Sequence, residues 1–281
     1  MKIAVVGANG MLGHDLKGAA AAREIMVAGY DLPEVDITRP ETLSGIESAD
    51  VVINCAAYTR VDDAETEKEL AWKINAEGAG NLAAWCKERD IRLIHVSTDY
   101  VFDGGKGEPY HEEDKVNPIS VYGASKLGGE EAVAQAGGRY LIARTQSLYG
   151  VNGRSFAKAI LGQVDQGKTE LKVVSDQVSS PTYTPHLAEA LLLLAENPEG
   201  EGIVHVASRD GCSWHRFAEA IVEEIKASVV VHAMSAAELK YPAPRPAYSI
   251  LDTTRYRTLT GRAMPTWREG LRGYLKETGR I

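Results

Sequence analysis

Short runs of aliphatic and β-branched residues recur through the first half of the chain, each followed by a longer stretch whose apolar residues return every three or four positions. The runs are IAVV at 3–6, IMVAG at 25–29, VVIN at 51–54, RLIHVS at 92–97 and YLIART at 140–145. They are short and apolar throughout, the pattern of strands covered on both faces. Between them, residues 63–89 combine Ala, Glu, Leu and Lys with an apolar stripe, and SVYGASKLGGEEAVAQA at 120–136 does the same, so both are predicted to be helical. Strand–helix alternation of this kind predicts an α/β fold built on a doubly wound parallel sheet.

Beyond Tyr149 the alternation loosens into a helix near 155–166, a strand at LKVV, a helix near 186–195, a strand at IVHV and a helix at 214–226. We read residues 1–150 as one domain and 151–281 mainly as a smaller α+β substrate lobe, with some of its segments returning to the first domain. YPAPRP at 241–246 is predicted to be an extended loop, because each proline removes a backbone donor and restrains the residue before it. No internal repeat is found.

Composition narrows the class. At 281 residues with 44% hydrophobic and 25% charged side chains, the chain is an ordinary globular protein. No apolar run approaches the roughly 20 residues of a membrane helix, so no membrane partner is expected. The opening MKIAVVG lacks the features of a secretory signal, and a cytoplasmic location is expected. Cys55, Cys86 and Cys212 are scattered, which suits neither a disulfide framework nor a zinc site. A net charge of −8 argues against nucleic acid as a partner.

The chemistry starts at Gly7, Gly10 and Gly13 in GANGMLG, which follow the first strand directly and lead into a helix beginning near Met11. Glycines in that place allow a tight turn and close backbone approach, so that a pyrophosphate can rest on the N–H groups of the helix start, as in Rossmann-type dinucleotide domains. Asp31 ends the second strand about 20 residues further on, where a carboxylate can accept from adenosine ribose hydroxyls, the NAD-type arrangement; a turn cap is the competing role. Tyr122 and Lys126, four apart on a predicted helix, share a face. A neighbouring ammonium is expected to lower the phenol pKa from its usual value of about 10. Thr98 lies just past RLIHVS, at the carboxyl end of a strand, where open α/β sheets hold their ligands. Together the three predict a carbonyl oxygen held by Thr98, a proton from Tyr122 and a nicotinamide ribose gripped by Lys126. GQVDQGKT at 162–169 matches the phosphate-loop pattern, but a helix precedes it and a strand follows, the reverse of what that loop requires. Gly167 is read instead as a helix terminator.

With those residues the chain resembles the nucleotide-sugar reductases of the extended short-chain dehydrogenase/reductase superfamily, in particular the dTDP-4-dehydrorhamnose reductase family. The resemblance runs almost end to end and rests on GANGMLG, NCAAYTRVDDAE at 54–65, STDYVFDG at 97–104, PISVYGASKLGGE at 118–130, DQVSSPT at 176–182 and RPAYSILDT at 245–253. It implies cofactor contacts, to NADH or NADPH, at Gly10, Met11, Leu12, Asp31, Asp36, Ile37, Ala57, Tyr58, Thr59, Tyr122 and Lys126, with Asn75 matching the superfamily's helix asparagine. It places Val61, Asp62, Thr98 and Asp99 against the sugar. The reaction it implies is hydride transfer to the C4 ketone of dTDP-4-dehydro-L-rhamnose, with Tyr122 protonating the oxygen to give dTDP-L-rhamnose. Tyr100 follows Asp99 where related dehydratases carry a glutamate, which disfavours dehydration.

One position departs from the family. Ser147, in RTQSLY, stands where the family usually has the tryptophan of RTSWVY, and this leaves the sugar open. The partner implied is a nucleotide sugar; a homodimer is compatible with the resemblance, and no metal is assigned. Two other readings stay in play: an epimerase of the same superfamily, and a noncatalytic nucleotide-binding regulatory subunit.

Overall fold

The computed structural model describes residues 1–281. Its centre is a parallel sheet of six strands. The first five are β1 (Lys2–Val6), β2 (Met26–Tyr30), β3 (Val51–Asn54), β4 (Arg92–Thr98) and β5 (Tyr140–Thr145), and they follow the predicted runs closely. The sixth is Gly202–His205, the IVHV segment, which returns to pair with β5. The order is Gly202–His205, β5, β4, β3, β1, β2, with every pairing parallel, so the doubly wound sheet expected from the pattern is present.

Two apolar layers cover it. On one face α1 (Met11–Ala22) packs beside the later helix Thr184–Glu196 through Leu12, Leu16, Ala20, Leu187 and Leu191. On the other, Leu82, Ala83 and Cys86 from the helix Ala79–Glu88 and Val133 from the helix Val121–Ala136 close over Val52 and Leu93. A third core, around Tyr149, Leu171, Phe217, Leu271 and Tyr274, belongs to the later half of the chain.

The predicted helix over 63–89 is not one helix. It begins as a 3₁₀ turn (Asp63–Glu65), continues as α2 (Lys68–Trp72), widens into a π segment (Lys73–Gly78) and narrows again into α3 (Ala79–Glu88). Propensity and an apolar stripe do not report a change of hydrogen-bond step, so the widening is invisible in the sequence; such segments often mark functional positions. α4 (Val121–Ala136) crosses this stretch so closely that a β-carbon on Gly129 would sit 2.1 Å from the Asn75 carbonyl oxygen.

Downstream, α5 (Phe156–Asp165) ends before Gly167, which is left-handed at φ +79°, and the strand Glu170–Val174 follows. GQVDQGKT therefore closes a helix, as read. The strand Val230–Met234 and the helices Thr254–Thr260 and Trp267–Glu277 were not foreseen. No helix is long and apolar enough to cross a membrane.

Candidate functional site

The carboxyl ends of β1, β3 and β4 meet where the strand order reverses, the place at which open α/β sheets hold ligands. Gly7 turns the chain out of β1 at φ +81°, and a β-carbon there would lie 2.6 Å from the Ala56 nitrogen beyond β3. Only glycine fits both the dihedral and the approach. Gly10 precedes α1 with no side chain capping the helix start and no acidic residue in its first turn. The leading N–H groups are thus left open to an anion, which fits a dinucleotide pyrophosphate. Leu12 is buried in the core and offers only its backbone there, whereas Met11 is half-buried, near Gly150 and Gly153.

Asp31 accepts from Asn9 N and Leu32 N, each at 2.8 Å, so its carboxylate braces the glycine turn itself. That is the capping role named as the competing one; any ribose contact shares the same carboxylate. Asp36 is occupied locally, accepting from the Thr38 backbone and hydroxyl and from Arg39 Nε. Ile37 is buried against Gly78, and its carbonyl accepts from Asn81.

In the segment Ala57, Tyr58 and Thr59, the Tyr58 backbone is held by Asn75. The Tyr58 N–H donates to Asn75 Oδ1 at 2.8 Å, while Asn75 Nδ2 donates to the Tyr58 carbonyl at 3.1 Å and to Ser125 Oγ at 2.9 Å. The π segment thus presents Asn75 as a clamp between this loop and α4. The Tyr58 ring turns away and its hydroxyl donates to Glu67.

Thr98 caps β4. Its hydroxyl accepts from Tyr100 N at 3.2 Å and donates to Asp99 Oδ1 at 3.1 Å, and the Tyr122 phenol lies close by. Tyr122 lies in the first turn of α4, which Ser120 caps by accepting from Gly123 N, and its ring meets Tyr100 edge-on at 5.4 Å. Burial pushes the Tyr122 phenol up to about 12, with the neighbouring Thr98 hydroxyl pulling down and the Asp99 charge pushing further up. The sequence expectation of a phenol lowered by Lys126 is corrected here. Lys126 shares the helix face, but its Nζ donates to the Val96 carbonyl at 2.7 Å, and burial lowers it to about 8. Spacing fixes the face of a helix, not where a long side chain ends.

Asp99 is 2% exposed, and burial raises its carboxyl from 3.8 to about 6, against the pull of hydrogen bonds from Ser249 and Thr98. Between those values the folded state holds a proton that the unfolded state has lost, so stability falls as pH rises through that window. Asp99→Asn is expected to remove a penalty on the order of 3 kcal/mol above pH about 6. Urea unfolding at several pH values checks this: a wild-type minus variant difference that does not grow between pH 4 and 7 contradicts it.

Asp62, half-buried, pairs with Arg245 from the proline-rich loop. Arg245 Nη1 and Nη2 donate to Asp62 Oδ1 and Oδ2 at 3.0 and 2.7 Å, and Ala243 N adds a bond at 3.2 Å. The guanidinium also stacks on Tyr241 at 3.8 Å. Sequence reasoning missed Arg245, although an arginine fixed between prolines was a visible signal. Val61, beside it, is half-buried. Ser147 is left-handed at φ +49°, and its hydroxyl lies 2.8 Å from that of Ser179.

A model of the family described as "RmlD substrate binding domain" matches residues 1–280. The chain belongs to this family. The resemblance drawn from its motifs is therefore borne out. A dTDP-4-dehydrorhamnose reductase of Burkholderia thailandensis is 40% identical, covering 95% of this chain and 96% of that protein. A probable dTDP-4,6-dihydroxy-2-methyloxan-3-one 4-ketoreductase of Streptomyces antibioticus is 36% identical over 97% of this chain and 94% of its own length. A crystal structure of dTDP-4-dehydrorhamnose reductase from Bacillus anthracis, in complex with NADP, superposes with a TM-score of 0.93 at 36% identity, covering 98% of this chain and 99% of that one.

Proposed function

We propose that the protein is an NAD(P)H-dependent reductase that converts the C4 ketone of dTDP-4-dehydro-L-rhamnose to the alcohol of dTDP-L-rhamnose. The observation that carries this reading is the placement of buried Thr98, at the end of β4, next to Tyr122 in the first turn of α4, beside an uncapped helix start that suits a dinucleotide. The names of the relatives at 36–40% identity supply the substrate.

Gly7, Gly10, Met11 and Leu12 hold the pyrophosphate on backbone N–H groups, and Asp31, Asp36 and Ile37 line the adenosine end. Ala57, Tyr58 and Thr59, steadied by Asn75, line the remainder of the cofactor cleft. Bound NAD(P)H supplies the hydride. Thr98 holds the ketone oxygen, Tyr122 donates its proton to that oxygen as charge develops there, and Lys126 is assigned the nicotinamide ribose. A phenol at about 12 stays protonated at neutral pH, the state a proton donor needs. Val61, Asp62, Asp99 and Ser147 face the sugar. Residues 1–150 carry the cofactor, and most of 151–281 forms the substrate lobe.

A second reading keeps the chemistry and changes the sugar. Ser147 is turned toward Ser179 and offers no aromatic surface, and one relative is named for a different keto-sugar. A panel of dTDP-linked 4-keto-6-deoxysugars, assayed with NADH and with NADPH, separates the two. The first reading expects the highest kcat/KM with the rhamnose precursor; a higher value with another sugar supports the second, and no turnover with any sugar overturns both.

A further inference from the structure

Beneath the site, β3 and β4 place Asn54 and His95 as register partners, and both side chains are buried. The Ala56 N–H donates to Asn54 Oδ1 at 3.1 Å. A backbone N–H can only donate, so it fixes the orientation of the amide, and the Asn54 NH₂ is left facing His95 Nδ1 at 3.0 Å. Nδ1 must then accept, which places the imidazole proton on Nε2. That atom lies 3.5 Å from Lys126 Nζ.

An ammonium at Nζ would set donor against donor across that gap. The opposite tautomer would move the clash to the Asn54 amide, where the Ala56 N–H prevents a flip. A neutral amine satisfies every partner: it accepts from His95 Nε2–H and still donates to the Val96 carbonyl at 2.7 Å. We infer that His95, oriented by Asn54, is a positioning residue that favours the uncharged amine of Lys126 and so sets the protonation of the lysine assigned above to the nicotinamide ribose. This rests on the catalytic reading of Lys126 given above.

The other groups facing the amine push toward the charged form. Glu130, one turn further along α4, is tied to Arg144 of β5, and Cys55 faces it from beyond β3; both raise the lysine, while burial outweighs them and lowers it to about 8. Burial drives His95 itself well below its ordinary value, so it remains neutral and keeps a single ring proton to place.

The test is a ¹³C NMR titration of lysine Cε in the full-length protein, with the Lys126 resonance identified by its absence from Lys126→Met. The wild type is expected to titrate near pH 8. In His95→Phe, where the donor is gone, the midpoint is expected at least tenfold lower in proton concentration, a rise of about one unit or more. His95→Gln can accept from Asn54 through Oε1 and donate to Lys126 through Nε2, and is expected to stay near the wild type. A midpoint in His95→Phe that is unchanged or lower overturns the inference, as does a His95→Gln midpoint shifted as far as that of His95→Phe. Should His95→Phe not fold, Asn54→Leu frees the tautomer and is expected to raise the midpoint; an unraised midpoint there also overturns it. The catalytic reading of Lys126 fails separately, if Lys126→Met keeps the wild-type kcat, and the titration still decides the role of His95.

Discussion

Tyr122→Phe is expected to lower kcat about 10²- to 10⁴-fold, the usual contribution of a positioned proton donor, while leaving NAD(P)H affinity near that of the wild type. The variant removes one oxygen and keeps the ring, so the edge-on packing against Tyr100 and the capped first turn of α4 stay in place. What is lost is the proton that neutralises the developing alkoxide, together with the hydroxyl that stands near Thr98. The loss should appear in kcat and kcat/KM together, because the interaction belongs to the transition state. Steady-state kinetics alongside a cofactor-binding titration checks this. A variant that keeps the wild-type kcat would remove Tyr122 from the mechanism, and one that loses cofactor binding would recast it as a binding residue.

The second large effect is on stability. Glu130 and Arg144 are 3% and 2% exposed, and Arg144 Nε and Nη2 reach Glu130 Oε1 and Oε2 at 2.9 and 2.7 Å. Ser97 Oγ donates to Glu130 Oε1 at 2.5 Å, and the guanidinium lies 5.1 Å from the centre of the Phe102 ring. The pair ties α4 to β4 and β5 directly under the turn that carries Thr98. Glu130→Ala strands a guanidinium in the interior, and removing one partner of a buried pair costs about 3–5 kcal/mol. Denaturant unfolding of the variant should show a loss of that size. Replacing both partners, Glu130→Met with Arg144→Met, removes the uncompensated charge and should recover a substantial part of it. If Glu130→Ala unfolds within about 1 kcal/mol of the wild type, the pair is not holding these elements together.

The sheet was legible because β1, β3, β4 and β5 are short, largely apolar runs buried on both faces, whereas the edge strand β2 has no buried residue and was legible from its apolar composition alone. Thr98 was legible for the same reason, as the first polar position able to act where such a run ends. The sixth strand was seen as a strand, but its pairing with β5 depends on a contact made some sixty residues away, which no local pattern carries. The helix Trp267–Glu277, absent from the predicted elements, carries a start signal in its own sequence. Thr266 and Glu269 form a capping box across its first turn, and Trp267, Leu271, Tyr274 and Leu275 are all buried at helical spacing.

Within the site, residue identity was easier to read than residue direction. The four-residue step from Tyr122 to Lys126 fixed a shared face, yet the lysine runs down to the Val96 carbonyl, which accepts from it, and to within 3.5 Å of His95 Nε2. Asn75 drew notice as a helix asparagine, but its role as a clamp depends on the π segment it sits in and on the close crossing of α4 at Gly129. Asn54 and His95 sit inside apolar runs and looked like strand residues and nothing more. Their pairing depends on the register of β3 against β4.

The central claim is that hydride passes to a sugar carbonyl with net consumption of the reduced cofactor. It is tested most directly by incubating the protein with NAD(P)H deuterated at the transferable position of the nicotinamide and with dTDP-4-dehydro-L-rhamnose, then examining the sugar by NMR. Deuterium at C4 of a dTDP-linked deoxysugar, in amounts equal to the cofactor oxidised, is the predicted result. Cofactor that binds but is not oxidised, or a sugar rearranged without gaining deuterium, would contradict it.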